Sequence, residues 1–580
     1  MERVASSFMC SSLLVVLLLL SASRPAHSKV RVHRWDISYA FKSQDCVRNL
    51  AVTINGQTPG PTIRAEMGDT VVVHVKNNLV TENTAIHWHG IRQIGTPWFD
   101  GTEGVTQCPI VPGDTFTYRF VVDRPGTYLY HAHYGMQRSA GLYGLIQVAL
   151  PAAQVEPFSY DYDRSIILND WWHDTTQQLS TGLASVPFVW VNEPKSILIN
   201  GRGKFNCSLA AANQVCNATS PDCSPFVLTV VPGKTYRLRI ASVSSLSAFN
   251  FEIEGHDLLV VEADGHYVNP FAVKNLNIYS GETYSVLFTA DRDASRNYWI
   301  AANVVGRRPG TEPGIAVLNY YPNHPRSTPP TARPEGPLWN WNDTDYREQQ
   351  SIALSRSHPD YIHPPPATSD RTILLLNTQN RVEDGRTRWS LNGVSHDMPH
   401  TPYLIALKEG LRHAFDETPA PERYDYENYD VSRHPPAVVN ATISTSIYRL
   451  KFNSTVDVVL QNANTLANSS NSETHPWHLH GHDFWVLAYG TGKFDPRRDT
   501  SKFNLVDPIM KNTVALHPFG WTAIRFRADN PGAWAFHCHI EAHFAMGMGV
   551  VFAEGVDRIG RLPTSIMGCG DSKFLRGRHH

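Results

Sequence analysis

Near its C-terminal end the chain carries the sequence HCHIEAHFAMGM, which spans residues 537–548. A cysteine stands between two histidines, and a third histidine and two methionines follow. In an extended strand, neighbouring side chains point to opposite faces and side chains two apart share a face. If residues 536–540 are extended, Cys538 points away from His537 and His539. This segment therefore predicts a strand that presents a sulfur atom on one face and two imidazoles on the other.

The donor groups around Cys538 fit one kind of metal centre. Together with His475, the segment offers two imidazoles, the second from His543, one thiol and the thioether of Met548. Two histidines, one cysteine and a weakly held axial methionine are typical of blue-copper electron-transfer sites. A lone cysteine is ordinarily a buried free thiol, but the flanking histidines favour a metal ligand here.

Histidines separated by a single residue recur along the chain. With 27 histidines among 580 residues, chance gives such a pair roughly once. The pairs are His87/His89, His131/His133, His478/His480, His480/His482 and His537/His539. Neutral imidazole is a common metal ligand and suits copper, so we predict several copper ions. A zinc hydrolase is an alternative, but zinc needs only three or four ligands, and Cys538 and Met548 would then have no role.

The first and last thirds of the chain repeat the same motifs in the same order. Residues 125–133 read PGTYLYHAH, and residues 531–539 read PGAWAFHCH. The middle third has a similar framework, in residues 231–236 and 297–301, without the histidines. We therefore predict three related domains, of which the first and third carry the chemistry and the second acts as a spacer that contributes to a substrate pocket.

Short runs rich in β-branched and aromatic residues lie between turn signals, which is typical of β-sandwiches and barrels. They include residues 70–75, 116–122, 236–240 and 456–460. We predict an all-β protein whose boundaries fall at the prolines of residues 151–157 and within the proline-rich residues 322–366. The expected units are a leader at residues 1–28 and domains at residues 29–155, 156–370 and 371–580.

The overall composition is that of a folded and secreted chain. With 53 acidic and 51 basic residues, the net charge is -2, which gives no basic field for nucleic acid. Arg3, an apolar run at residues 13–20 and the small residues around His27 predict a signal peptide, so the mature chain begins near Lys29. The sequence has no other long apolar run. We predict a protein of the extracellular space or cell wall that does not enter a membrane.

The cysteines and glycosylation signals agree with secretion. Of the 8 cysteines, Cys10 leaves with the signal peptide. The remaining number is odd, so one thiol stays unpaired in an oxidising compartment, and Cys538 is the one we expect. Asn-x-Ser/Thr triplets predict glycosylation. They begin at Asn206, Asn217, Asn342, Asn440, Asn453 and Asn468.

Four segments resemble the copper signatures of the multicopper oxidases. They are residues 87–90, 131–133, 475–482 and 537–548. The resemblance covers essentially the whole mature chain, and residues 54–63 and 521–530 are similar to plant members of the family that oxidise L-ascorbate. It implies three cupredoxin-like Greek-key domains with a few short helices.

The same resemblance implies an activity. The enzyme would take single electrons from L-ascorbate and reduce O2 to water. A laccase-like oxidase of phenols is the open alternative. A non-catalytic cell-wall relative would lack metal ligands, and every ligand position of the family is filled here. The oligomeric state stays open, with a homodimer as one arrangement.

The resemblance also implies four copper ions and three disulfides. A type 1 copper would bind His475, Cys538, His543 and Met548. A type 2 copper would bind His87 and His478. The type 3 pair would bind His89, His131 and His539 on one copper and His133, His480 and His537 on the other. Cys538, His537 and His539 would form the electron route. The implied disulfides are Cys46–Cys223, Cys108–Cys569 and Cys207–Cys216.

Substrate and proton positions follow in part from the resemblance. Trp190 and Trp389 match two tryptophans that flank ascorbate in the family, beside the type 1 histidine, which is His543 here. The alternative is that both tryptophans are ordinary packing residues. Asp100 and Glu103 follow the first histidine motif and are acids to test as proton donors.

The chain departs from the family pattern at Ala542 and Ala545, where the plant oxidases of ascorbate usually have Pro and His. Loss of proline removes a backbone constraint next to His543. We therefore expect a looser type 1 site or a shifted reduction potential.

Overall fold

The structure, a computed structural model, describes residues 28–152, 154–307, 310–334, 336, 345–431 and 441–575. The predicted signal peptide, apart from Ser28, lies outside the described residues, as do Asn342 and Asn440 of the predicted glycosylation triplets. Within them the chain forms six β-sheets and four short α-helices. The predicted all-β class is confirmed.

Two four-stranded sheets form the first third of the chain. Its strands are β1 (Val30–Lys42), β2 (Asn49–Ile54), β3 (Ile63–Glu66), β4 (Thr70–Asn77), β5 (Ile86–His87), β6 (Thr115–Val121), β7 (Gly126–Ala132) and β8 (Tyr143–Ala149). The strand orders are β2-β1-β4-β6 and β3-β8-β7-β5. Strand β6 alternates between exposed and buried side chains along its length, as expected for a strand with one face on the core. Pairing of β5 with β7 sets His87 opposite His131.

The middle third has a six-stranded and a five-stranded sheet. Its strands are β9 (Tyr162–Trp171), β10 (Ser196–Ile199), β11 (Phe226–Val230), β12 (Thr235–Ser242), β13 (Ala248–Ile253), β14 (Leu258–Ala263), β15 (His266–Val273), β16 (Asn275–Ile278), β17 (Thr283–Thr289), β18 (Tyr298–Val305) and β19 (Gly314–Tyr320). The orders are β10-β9-β12-β17-β14-β15 and β11-β19-β18-β13-β16. The non-sequential neighbours are those of a Greek-key sandwich.

The last third has an eight-stranded and a five-stranded sheet. Its strands are β20 (Arg371–Arg381), β21 (Thr387–Leu391), β22 (Val394–His396), β23 (Thr442–Ser444), β24 (Tyr448–Leu450), β25 (Thr455–Asn462), β26 (His475–Leu479), β27 (Phe484–Thr491), β28 (Met510–Lys511), β29 (Thr513–Leu516), β30 (Gly520–Arg527), β31 (Gly532–Cys538) and β32 (Gly549–Glu554). The orders are β23-β22-β21-β20-β25-β30-β27-β28 and β24-β32-β31-β26-β29.

The helices are short and lie in connections. They are α1 (Thr176–Ala184), α2 (Asp345–Ala353), α3 (Tyr403–Glu409) and α4 (Glu541–Ala545). Helix α2 belongs to the proline-rich connection and contacts the middle third, because Gln350 Oε1 accepts a 2.6 Å hydrogen bond from the backbone N–H of Asn277. None of the described helices has the length and apolar character needed to cross a membrane.

Strand β31 belongs to two hydrophobic cores at once. Ala533 and Ala535 pack in the core of the first third, whereas Phe536 and Cys538 pack in the core that the middle and last thirds share. The alternation of a strand produces this division. The small alanine side chains let the first domain approach the strand closely, so the cluster between the first and last domains is built around β31.

Three disulfides join the expected cysteines. They are Cys46–Cys223, Cys108–Cys569 and Cys207–Cys216. The second has a sequence separation of 461 residues, so it ties the first domain to the end of the last one. Cys538 is a free, buried cysteine, as predicted.

Candidate metal centre

The end of strand β31 separates two groups of donor atoms. The Nε2 atom of His537 lies 3.0 Å from Nε2 of His480 and 3.5 Å from Nε2 of His133. On the other face, the Cys538 sulfur lies 3.8 Å from Nδ1 of His475 and 3.7 Å from Nδ1 of His543. The predicted opposite directions of the cysteine and its neighbours are therefore observed.

The regular strand is shorter than the extended segment that the sequence predicts. It ends at Cys538 rather than continuing to residue 540. The backbone N–H of His539 still bonds the carbonyl of Pro476 at 2.7 Å, and its Nε2 atom lies 3.1 Å from Nε2 of His131. His539 thus faces the same side as His537 despite the early end of the strand.

Eight buried imidazoles from the first and last domains meet on that side. Their nitrogen atoms form three groups in which all members lie within 4.8 Å of one another. The groups are His87 with His478 and His480, His89 with His131 and His539, and His133 with His480 and His537. These eight residues are the predicted type 2 and type 3 ligands.

Backbone carbonyls fix the protonation of several of these rings. Nδ1 of His87 donates to the carbonyl of Asp100, and Nδ1 of His478 donates to the carbonyl of Asn512, both at 2.8 Å. A carbonyl oxygen can only accept, so the Nε2 atom of each neutral ring carries a lone pair. The two Nε2 atoms lie 3.3 Å apart with no proton between them. A bound cation is the group that stabilises such a contact.

Burial disfavours the charged form of seven of these rings, because it lowers the pKa of His89, His131, His133, His478, His480, His537 and His539. It lowers the pKa of His537 to about 3 and is the largest cause of the lowered pKa of His89, His131 and His480. Nδ1 of His89 is buried and has no hydrogen-bond partner, while its Nε2 donates to Asn512 Oδ1 at 3.0 Å. Neutral imidazoles with free lone pairs are metal-binding groups.

Asp100 orients two of the rings. Its backbone carbonyl bonds His87, and its carboxylate Oδ2 accepts from Nδ1 of His480 at 2.8 Å and from the hydroxyl of Thr102 at 2.7 Å. The residue is fully buried. This contact fixes the tautomer of His480, which is the usual role of a carboxylate behind a metal-binding histidine.

The middle domain also contacts the imidazole cluster. The sequence had predicted only that this domain acts as a spacer and contributes to the substrate pocket. The Ser280 hydroxyl lies 2.8 Å from Nδ1 of His539. At Gly281, a Cβ atom would lie 2.9 Å from His89 and 3.0 Å from His539, and φ is +90°. Only glycine fits that position without displacement.

A buried ion pair holds this contact between the middle and last domains. Lys511 Nζ donates to Glu282 Oε1 and to the Tyr284 hydroxyl, both at 2.8 Å. Glu282 follows the Ser280–Gly281 turn, and Lys511 precedes Asn512. No histidine or cysteine marks these residues, so metal-ligand spacing could not identify them.

The sulfur site has the donors predicted for a type 1 copper. His475, Cys538 and His543 have their donor atoms within 4.8 Å of one another, and all three are buried. Burial raises the pKa of the Cys538 thiol well above its ordinary value and lowers the pKa of His475 to about 3. Met548 is also buried; its backbone N–H bonds the His543 carbonyl, and its own carbonyl accepts from Cys538 N–H, both at 3.0 Å.

The two predicted substrate tryptophans occupy different environments. Both contact His543, with ring centroids 5.8 Å away for Trp190 and 4.9 Å away for Trp389. Trp389 is only 2% exposed and also contacts His475 at 4.9 Å. Trp190, by contrast, lines an open cavity of about 470 Å³ together with His543. Of the two, only Trp190 forms part of that wall.

Glu473 and Asn468 are among the polar residues that line the same cavity. Glu473 Oε2 lies 3.4 Å from Nε2 of His543, and Asn468 stands in the loop that forms the wall. Burial raises the pKa of Glu473 to about 7, and Arg307 opposes that shift. Sequence reasoning did not single out Glu473, although its position two residues before His475 is a usable signal.

Comparison with known proteins agrees with this site. Residues 37–153, 163–323 and 417–558 each match the multicopper oxidase family. The chain belongs to the multicopper oxidase family. The solved structure of Fet3p, a multicopper oxidase that functions in iron import, superposes with a TM-score of 0.75 at 25% identity, covering 95% of each chain. The laccase from Botrytis aclada gives 0.73 at 29% identity, covering 95% of this chain and 92% of the laccase.

Within the family, the more similar relatives carry one name. A protein from Cucumis sativus named L-ascorbate oxidase is 50% identical, covering 96% of this chain and 94% of its own. A protein of the same name from Brassica rapa is 51% identical, covering 96% of this chain and 97% of its own. Laccase-2 from Oryza sativa is 36% identical, covering 95% of this chain and 96% of its own. Copper is the metal that the family implies, and the soft sulfur donors and neutral imidazoles described above suit it.

Proposed function

We propose that the protein is a secreted L-ascorbate oxidase with four copper ions per chain. It couples the one-electron oxidation of ascorbate to the four-electron reduction of O2 to water. The observation that carries the proposal is the arrangement at the end of β31. Cys538 belongs to a three-donor site on one side, while its neighbours His537 and His539 belong to the cluster of eight imidazoles on the other side.

The residues group naturally around four ions. His475, Cys538, His543 and Met548 would hold the type 1 copper, and His87 and His478 the type 2 copper. His89, His131 and His539 would hold one type 3 copper, and His133, His480 and His537 the other. Copper bound there supplies the one-electron couple at the sulfur site and the electrons that reduce O2 at the cluster.

The cavity beside His543 fits a small, flat reductant. The indole of Trp190 offers a face for a planar enediol. His543 offers its Nε2–H edge, which Glu473 also contacts at 3.4 Å. When ascorbate loses an electron it also releases a proton, and the Glu473 carboxylate beside that edge can accept it. Four such events supply the four electrons for one O2.

The electron route follows the covalent chain. His537 and His539 are each one peptide unit from Cys538. An electron that enters at the sulfur can therefore reach the imidazole cluster through the covalent bonds that join Cys538 to either histidine. The hydrogen bond from Nδ1 of His537 to the Cys538 carbonyl, at 2.8 Å, gives a second and shorter connection between the two sites.

Secretion and glycosylation belong to the same proposal. The three disulfides require an oxidising compartment, and the leader at residues 1–28 provides the route. The described triplet asparagines Asn206, Asn217, Asn453 and Asn468 are all exposed, as attached glycans require. The domain limits that we propose are residues 29–155, 156–370 and 371–580.

Oxygen uptake by the purified protein with ascorbate tests this function, with copper counted on the same sample. We expect uptake of one O2 per four electrons, four copper ions per chain and a blue absorption band. Cys538→Ser should abolish the band and the uptake. A higher kcat/KM for a diphenol than for ascorbate would instead support a phenol oxidase, and a colourless copper-loaded protein would overturn the assignment.

A further inference from the structure

A second cavity connects the imidazole cluster with the protein surface. It has a volume of about 170 Å³, and four of the clustered histidines line it, namely His131, His133, His537 and His539. Asp397, which also lines the cavity, has a side chain that is 58% exposed. The cavity therefore reaches from solvent to the cluster, away from the pocket that Trp190 lines.

Glu103 lines this cavity, and its carboxyl group has no partner in the described part of the chain. Among the described residues, no hydrogen bond or ion pair to this carboxyl group is present, and the side chain is only partly exposed. Burial alone raises the pKa of Glu103 to about 7. An unpaired, partly buried carboxyl group is costly for stability, and such groups concentrate at functional sites.

The backbone around Glu103 is held firmly between two domains. The carbonyl of Gly104 accepts from Tyr403 N–H at 3.1 Å, and the carbonyl of Val105 accepts from Leu404 N–H at 2.9 Å. Gly104 has φ +73°, and a Cβ atom there would lie 3.2 Å from the side chain of Met398. The backbone that carries Glu103 is therefore held in the seam between the first and last domains.

The other acids near the cluster are already engaged. Asp100 binds His480 and Thr102 and does not line the cavity. Glu541 lines it, but its two oxygens accept from the backbone N–H groups of Arg138 and Ser139, both at 3.0 Å. Asp397 stands at the exposed end, 3.7 Å from Arg388. Glu103 is the remaining acid of the wall.

We propose that Glu103 carries protons from solvent to the imidazole-lined end of this cavity during the reduction of O2. This inference rests on the proposed oxidase function. Reduction of one O2 to two waters consumes four electrons, which arrive through Cys538, and four protons. For each proton, the O–H bond of the Glu103 carboxyl group breaks and releases H⁺ towards the cluster. The carboxylate then regains H⁺ from solvent at the Asp397 end.

The rate of proton delivery should depend on pH, because only the protonated form of the Glu103 carboxyl group can donate. Glu103 is a donor only when protonated, so proton delivery falls as pH rises through its pKa of about 7. Besides the four clustered histidines and Cys538, the other titratable or charged groups that line the cavity are Tyr134, Arg138, Arg388, His396, Asp397 and Glu541. The pKa of His396 is about 4, so this ring stays neutral over the relevant range.

Stopped-flow reoxidation of the fully reduced holoenzyme by O2 tests the proposal. A chemical reductant loads the protein, so the result does not depend on ascorbate. We expect the wild-type rate to fall above pH 7. Glu103→Gln should slow reoxidation about 100-fold below pH 7, the scale of a lost general acid, and remove the pH dependence. Glu103→Asp should restore part of the reoxidation rate and part of its pH dependence. Glu312→Gln, an exposed glutamate far from the cavity, is the matched control.

An infrared pH titration of the wild-type protein gives a readout that does not need activity. We expect protonated carboxyl absorption that disappears near pH 7. Glu103→Gln should lack the part due to Glu103 and keep the part due to Glu473, whose pKa burial also raises to about 7. An unchanged pH profile in Glu103→Gln, with copper content and blue band intact, would overturn the role of Glu103 alone. Identical carboxyl absorption in the wild-type protein and Glu103→Gln would do the same. Failure of wild-type reoxidation would instead count against the oxidase function.

Discussion

His87 and His478, 391 residues apart in the chain, place their Nε2 atoms 3.3 Å from each other. Each ring donates its Nδ1 proton to a backbone carbonyl, so two lone pairs face one another in a buried site. His131 and His539 also place their Nε2 atoms 3.1 Å apart, but there Nδ1 of His539 accepts a 2.9 Å hydrogen bond from the Arg138 guanidinium instead of donating to a carbonyl. The protein thus folds around buried imidazole groups whose facing lone pairs repel one another unless a cation is bound between them.

Copper removal should therefore make the protein sensitive to acid. Folded-state pKa values below the ordinary 6.5, about 3 for His475 and His537, mean that the unfolded chain binds more protons below pH 6.5. Stability of the copper-free protein should fall as pH decreases from 6.5, by about 1.4 kcal/mol per histidine and pH unit. Calorimetry of holo and copper-free protein checks this. Equal acid sensitivity of the two forms would contradict it.

Gly281→Ala should damage the cluster from the middle domain. The new Cβ atom would lie 2.9 Å from His89 and 3.0 Å from His539, so at least one ring has to move. We expect loss of cluster copper and about 10-fold or greater loss of activity, in line with small misplacements of reacting groups. Gly233→Ala is the matched control, because its φ is +77° but nothing lies within 4 Å of the added carbon. Equal effects of the two substitutions would show that backbone strain alone is responsible.

Trp190→Ala and Trp389→Ala should separate substrate binding from stability. Trp190 lines the pocket, so its loss should raise KM for ascorbate about 10-fold, the value of one aromatic stack, with the blue band unchanged. Trp389 is 2% exposed, so its loss should cost about 3–5 kcal/mol of unfolding free energy. It should also shift the blue band, since its ring contacts His475 and His543. Steady-state kinetics and chemical denaturation distinguish these outcomes.

Ala542→Pro tests the departure from the family pattern. Ala542 lies in the first turn of α4 (Glu541–Ala545), where backbone N–H groups lack helical partners and proline is tolerated. We expect a variant that is more stable by about 0.4–1 kcal/mol and whose type 1 potential differs from that of the parent. Redox titration of the blue band measures the potential. Identical potentials would remove the idea that this alanine tunes the site.

A glycan at Asn468 should restrict which reductants reach His543. Asn468 is exposed and lines the same cavity as Trp190. Its Oδ1 accepts from Ser470 N–H at 2.9 Å, which leaves Nδ2 for the sugar. We expect Asn468→Gln and Ser470→Ala to raise kcat/KM for a bulky phenol with little change for ascorbate. Asn217→Gln, at a triplet that does not line this cavity, is the control. Peptide mass spectrometry that finds Asn468 unmodified would refute the prediction.

The sequence was sufficient for those parts of the site that depend on local periodicity. Alternation along a strand predicts the opposite directions of Cys538 and His537, and repeated motifs predict which domains carry the imidazoles. Contacts across domain seams have no such local pattern. Ser280 and Gly281 reach His539 only because the middle domain docks there, and the environment of Trp389 depends on packing that no motif records. The sequence singled out Asp100 and Glu103 equally, because both follow the first histidine motif. Only the fold shows that Asp100 is hydrogen-bonded to His480 and that Glu103 lines a cavity without a partner among the described residues.

The shared position of strand β31 in two hydrophobic cores has a mechanical consequence. A displacement of the first domain relative to the last would change the approach of His131 and His133 to His537 and His539, and with it the width of the cavity that these four histidines line. It cannot change the spacing between Cys538 and the two histidines beside it, because consecutive peptide units set that spacing. The through-bond path from Cys538 to the cluster is in this way independent of how closely the two domains pack.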